Sequence, residues 1–84
     1  MASASPSPTP NPDALKFTLD VRLPDVVNVL SADDATTPLA KAVFAAPGVA
    51  ALFGVNDFLT VTREPGADWA PIVAAVQQAV ADHL

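Results

Sequence analysis

From Leu15 to Leu23 the side chains alternate without a break. Leu15, Phe17, Leu19, Val21 and Leu23 are apolar, and Lys16, Thr18, Asp20 and Arg22 are polar. A period of two with one apolar side predicts a half-buried strand. Such a strand must bury its apolar side against another layer, so the remainder of the chain has to supply both neighbouring strands and a cover.

The flanking segments predict what those neighbours are. Residues 1–9, "MASASPSPT", are small, polar and proline-rich, with no apolar periodicity to offset the entropy of ordering, and predict a flexible tail; the folded domain is expected over residues 10–84. Pro10 and Pro12 restrict Thr9 and Asn11 to extended backbone and so feed the chain into the first strand. Pro24 and Asp25 mark a turn, and the β-branched run Val26 to Leu30 is a second strand candidate that can pair with the first as a hairpin. Ser31 to Thr37 is a polar loop. Thr37 can cap a helix and Pro38 suits its first position, so a short helix is expected from Pro38 to about Ala46, with Leu39, Val43 and Phe44 on one stripe. Pro47 and Gly48 end it. Val49 to Val55 and Phe58 to Arg63 then predict an antiparallel pair turned by Asn56 and Asp57. After the loop Glu64 to Asp68, whose last residue can cap, Trp69, Ile72, Val73, Val76, Val80 and Leu84 recur at spacings of three and four, which predicts a closing amphipathic helix. The expected class is α+β: a four-stranded, mainly antiparallel sheet with two helices on one face, in the order β-β-α-β-β-α. Its second face is left to solvent or to a partner.

The chain has 84 residues, 51% of them apolar, which is enough for one modest core. It contains no cysteine and therefore no thiolate ligand, disulfide or thiol nucleophile. A formal charge of −5 disfavours a nucleic-acid partner. No apolar run reaches the length of a membrane span, and no signal-peptide pattern opens the sequence, so a soluble, cytoplasmic protein is expected.

The inventory for catalysis is thin. His83 is the single histidine and belongs to a helix end. No nucleophile and base pair stands out, and no glycine-rich phosphate loop is present, so the chain is expected not to be an enzyme. Asp33 and Asp34, with Asp57 or His83, offer a hard cation some ligands, and direct iron or hard-cation binding is the alternative function; adjacent carboxylates in a polar loop and an aspartate in a turn are, however, ordinary features. Trp69 heads an apolar stripe and reads as core or half-core packing, with a recognition anchor as the alternative. Phe58 falls on the side of its strand opposite Leu59 and Val61, where it is either closed over by a loop or available to a partner. The strip Lys16, Thr18, Asp20 and Arg22 is an ordinary wet strand face and also a candidate docking surface. With Asn56, Asp57, Phe58, Thr60 and Thr62 it forms the expected interaction surface; no catalytic, cofactor or metal residue is assigned.

Five stretches carry a resemblance: "TPNPDALKF" (9–17), "TPLAKAVF" (37–44), "PGVAALF" (47–53), "NDFLTVTRE" (56–64) and "DWAPI" (68–72). Together, and in this order, they resemble the N-terminal domain of the Nfu/NifU-like iron-sulfur cluster scaffold proteins, in which these regions commonly read T-P-N-P-x-x-L-K-F, S-P-L-A-x-x-L-F, G-V-x-x-V-F, D-F-I-T-V-T-K and D-W. The resemblance implies a small α/β domain in proteins that assemble or deliver clusters. In that family a C-x-x-C motif in a separate C-terminal domain holds the cluster, and this sequence, which reads as a stand-alone copy of the N-terminal domain, has no such motif. The implied role is therefore an accessory interaction domain, docking to iron-sulfur assembly or carrier proteins or to a separate cluster-bearing Nfu-type partner. The matching residues Asn11, Pro12, Leu15, Lys16, Phe17, Pro38, Leu39, Ala40, Asp57, Phe58 and Trp69 read as fold determinants more than as a site.

Overall fold

The strand pattern that opens the sequence finds partners on both sides. The structure, a computed structural model, describes residues 2–84. In chain order it contains β1 (Ala4–Pro8), β2 (Ala14–Leu19), β3 (Val27–Val29), a 3-10 turn at Ala32–Asp34, α1 (Pro38–Phe44), β4 (Val49–Val55), β5 (Phe58–Arg63) and α2 (Trp69–His83). The class is α+β, as expected. The sheet, however, has five strands rather than four, all antiparallel, in the order β1-β2-β5-β4-β3.

Two expectations are corrected by that order. The fifth strand is β1, Ala4–Pro8, from the stretch whose composition predicts a tail; it pairs with β2 from Ala4 opposite Leu19 to Pro8 opposite Leu15. Composition measures only what a segment can bury by itself, and β1 is held by a neighbour's backbone. Ser3 adds to this attachment by donating its amide to Asp20 Oδ1 at 2.8 Å, and Gln77 Nε2 of α2 reaches the Ala4 carbonyl at 3.2 Å. The second correction concerns β3, which does not form a hairpin with β2. Both edges of β2 are taken by β1 and β5, so the Val27–Val29 strand crosses to the far side of the sheet and pairs with β4.

The core lies on one side of this sheet. Phe17 of β2, Leu52 of β4, and Leu59 and Val61 of β5 are fully buried, as are Val43 of α1 and Ile72, Val76 and Val80 of α2. Both helix starts are built as the sequence suggests. Thr37 Oγ1 accepts from the Ala40 amide at 3.2 Å and Asp68 Oδ1 from the Ala70 amide at 3.2 Å. The Pro-rich link between β1 and β2 is latched. Asn11 Oδ1 accepts from the Asp13 amide, the Pro12 carbonyl accepts from Trp69 Nε1 at 3.4 Å, and Asp13 pairs with Arg63 at 3.2 Å. Arg63 also lies over the Trp69 ring, 5.3 Å from its centroid.

Two glycines make a test of the packing between α1 and the loop before α2. Gly48 has φ +87 and a β-carbon there would sit 2.4 Å from that of Ala67, whereas Gly66, at φ +82, has nothing within 4 Å of the same position. Gly66→Ala is expected to cost about 1 kcal/mol for the left-handed backbone alone. Gly48→Ala adds a steric clash and should cost about 3 kcal/mol in urea unfolding at unchanged m-value. The attachment of β1 is expected to depend on acid. The Ser3 amide, donating to the Asp20 carboxylate, holds its pKa below the ordinary 3.8. A depressed folded pKa means the stabilisation is fully present above 3.8 and is lost as the pH falls through the lower, folded value. By NMR the Ser3 amide shift should titrate with a midpoint under 3.8, and Asp20→Asn should abolish that transition.

Candidate docking face

Because both helices cover the same side of the sheet, the other side is bare, and strand register fixes what it displays. One row of cross-strand partners runs Ser7, Lys16, Thr60, Phe53 and Asn28 across all five strands; the next runs Ser5, Thr18, Phe58 and Val55. A third, near the other end of the hairpin, sets Ala14, Thr62 and Ala51 side by side. Partners in register share a face. Five of the nine expected surface residues, Lys16, Thr18, Phe58, Thr60 and Thr62, are thus brought together on three neighbouring rows.

An aromatic centre organises this face. The Phe53 and Phe58 rings lie 6.5 Å apart at 52°, a tilted arrangement suited to aromatic quadrupoles. Lys16 Nζ sits 4.8 Å from the centroid of Phe58. Phe58 is half-buried, with Lys16 over its ring, and Phe53 is 42% exposed. The sequence reading did not single out Phe53, Ala51 or Val55. The available signal was the unbroken apolar run of β4, "VAALFGV", which leaves apolar residues on both faces of one strand.

The other four expected residues occupy the adjoining end of the sheet and do not extend the strand strip. The strand β2 stops at Leu19, short of the alternation that continues to Leu23. Beyond it the chain runs along the β4–β5 hairpin turn, with the Leu19 amide donating to the Asp57 carbonyl at 2.7 Å and the Leu23 amide to the Asn56 carbonyl at 2.6 Å. Asn56 takes φ +57 to make the turn and accepts from the Arg22 guanidinium through Oδ1 at 3.3 Å. Asp20 is engaged by Ser3. These side chains border the Thr18–Phe58 row as a polar rim.

The cation alternative is not assembled. Among the described residues no group of three or more His, Cys, Asp or Glu side chains comes together. Asp33 and Asp34 belong to the 3-10 turn, where Asp34 accepts from the Ser31 hydroxyl, while Asp57 is at the hairpin turn and His83 at the end of α2. A hard cation takes roughly six to eight oxygen ligands, and among the described residues these carboxylates do not gather into such a group. No described helix is long and apolar enough to cross a membrane.

A family model described as the N-terminal region of scaffold protein Nfu/NifU matches residues 5–84. A mitochondrial NFU1 iron-sulfur cluster scaffold homologue of Drosophila ananassae is 38% identical over 80 residues, covering 90% of this chain and 28% of the relative. A NifU-like protein of Schizosaccharomyces pombe is 33% identical over 81 residues, covering 90% of this chain and 31% of its own length. The chain thus spans under a third of these relatives. Among solved structures, protein SAV1430 of Staphylococcus aureus superposes with a TM-score of 0.77 at 26% identity, covering 92% of this chain and 96% of that one. With the family model matched over nearly the whole length, the chain belongs to the Nfu/NifU N-terminal domain family.

Proposed function

We propose that this domain is a non-enzymatic interaction module of iron-sulfur cluster assembly or delivery that docks partner proteins through its bare sheet face and ligates no cluster itself. The observation that carries the reading is the uncovered aromatic centre Phe53–Phe58 under Lys16, rimmed by Thr18, Thr60 and Thr62. Exposed aromatics set in a polar surround are the composition of protein-binding surfaces. The 84 residues hold no cysteine, so the thiolates a cluster needs must come from another protein or another part of a longer one. Partners are accordingly iron-sulfur assembly or carrier proteins, including a cluster-bearing Nfu-type protein. Asp20, Arg22, Asn56 and Asp57 supply the polar edge of the contact.

Titration of the isotope-labelled domain with a cluster-loaded Nfu-type protein should shift the amides of Lys16, Thr18, Phe53, Phe58 and Thr60. Phe53→Ser and Phe58→Ser should each weaken the association about tenfold, the effect of losing one central aromatic anchor. Anaerobic reconstitution of the domain alone with iron and sulfide should yield no colour and no stoichiometric metal. Silence of the sheet amides against several assembly proteins, or a bound cluster, would overturn the reading.

A further inference from the structure

The sheet has two edges, and they are built differently. The strand β1 carries Pro6 and Pro8, which have no amide hydrogen to offer a further strand. At the opposite edge, β3 has no proline. Its residues pair with β4 on one side, and among the described residues no backbone hydrogen bond beyond that ladder involves Val26 to Leu30. The residues that flank β3 are strongly exposed for large apolar side chains: Val26 at 63% and Leu30 at 71%. Alongside lies a cleft of about 410 Å³, bordered by Leu23, Val26 and Val29, by Leu39 of α1, and by Leu84 after α2. The charged residues on its border are Asp25 and Asp34; His83 also lines it, and no lysine or arginine does.

We infer that the free edge of β3 receives an extended, basic segment of a partner protein, which adds to the sheet as a sixth strand. Three features select that occupant. Unpaired strand backbone is satisfied in full only by another extended backbone. Val26, Leu30 and the apolar cleft take alternate apolar side chains of the incoming strand. The carboxylates of Asp25 and Asp34 favour lysine or arginine between them. A second copy of this chain fits less well, because pairing β3 with β3 brings the same carboxylates together on a chain of net charge −5. The edge adjoins the bare face, since Asn28 of β3 ends the row that contains Phe53, and the two sites are told apart by whether a ligand shifts Val26 to Leu30 or Lys16 and Phe58.

The test is an NMR titration of the labelled domain with the peptide acetyl-Lys-Val-Arg-Val-Lys-Val-amide and with its acidic counterpart, in which Glu replaces each basic residue. The basic peptide should shift the amides of Val26, Val27, Val29 and Leu30 together with Leu39, and should bind about fivefold tighter than the acidic one. The double substitution Asp25→Lys with Asp34→Lys should reverse that order, its dispersed spectrum reporting an intact fold. Val26→Lys, at an exposed position, provides a second variant and should weaken the basic peptide. Equal affinity for the two peptides, shifts at Lys16, Phe53 and Phe58 in place of β3, or β3 shifts that follow the protein's own concentration would each overturn the assignment.

Discussion

The fully buried large side chains of this fold are concentrated on one side of one sheet. Phe17, Leu52, Leu59 and Val61 point toward α1 and α2, and meet Val43, Ile72, Val76 and Val80 in a cluster that excludes water. A chain of 84 residues has apolar material for one such layer and not for two. Large-to-small substitution within this layer typically costs 2–5 kcal/mol, a large fraction of what a small domain has, on the order of 5–15 kcal/mol. The bare face follows directly from that constraint. Two helices suffice to cover the core side, and nothing remains to cover the other, so residues there are set by solvent and by whatever binds.

Seen from the core, the motifs that mark the family are supports. Asn11, Pro12 and Asp13 form a turn that is pinned to Trp69 and Arg63, some fifty residues later. Thr37 and Asp68 start the two helices, and Asn56 turns the hairpin with a positive φ. Each fixes where a strand or helix begins, and each therefore fixes the register that brings Lys16, Thr60 and Phe53 into one row. The Arg63–Asp13 pair is partly exposed and contributes little as an ion pair alone. Its value lies in geometry, since the same guanidinium also donates to the Ala67 carbonyl and covers Trp69.

What was legible in the sequence is what local chemistry decides. The hairpin of β4 and β5 was readable to the residue because Asn56-Asp57 separates two apolar runs, and the capped helices were readable because their stripes and caps agree. Three features resisted because their cause is not local. The strand β1 is made of "ASPSP", a sequence with no strand tendency, and is ordered by the free edge of β2. The partner of β3 depends on competition: a turn at Pro24-Asp25 would permit a hairpin, but β2 has only two edges and both are occupied. Phe53 hides within an all-apolar strand, where no alternation tells which side faces the core until pairing with β5 sets the register.

The treatment of the two sheet edges bears on which further strands such a small domain can accept. An open edge strand pairs indiscriminately unless length, proline or charge restrains it. At β1 the restraint is proline, which is permanent and blind to the partner. At β3 it is brevity, three residues, together with the carboxylates of Asp25 and Asp34 nearby. Charge differs from proline in kind: it repels another acidic chain and attracts a basic one, so the same residues that discourage self-pairing select a partner. An edge guarded by charge is thus a gate with a preference, and an edge guarded by proline is a wall. That the apolar side chains Val26 and Leu30 sit at the first and not at the second is the arrangement expected if only one edge is meant to be used.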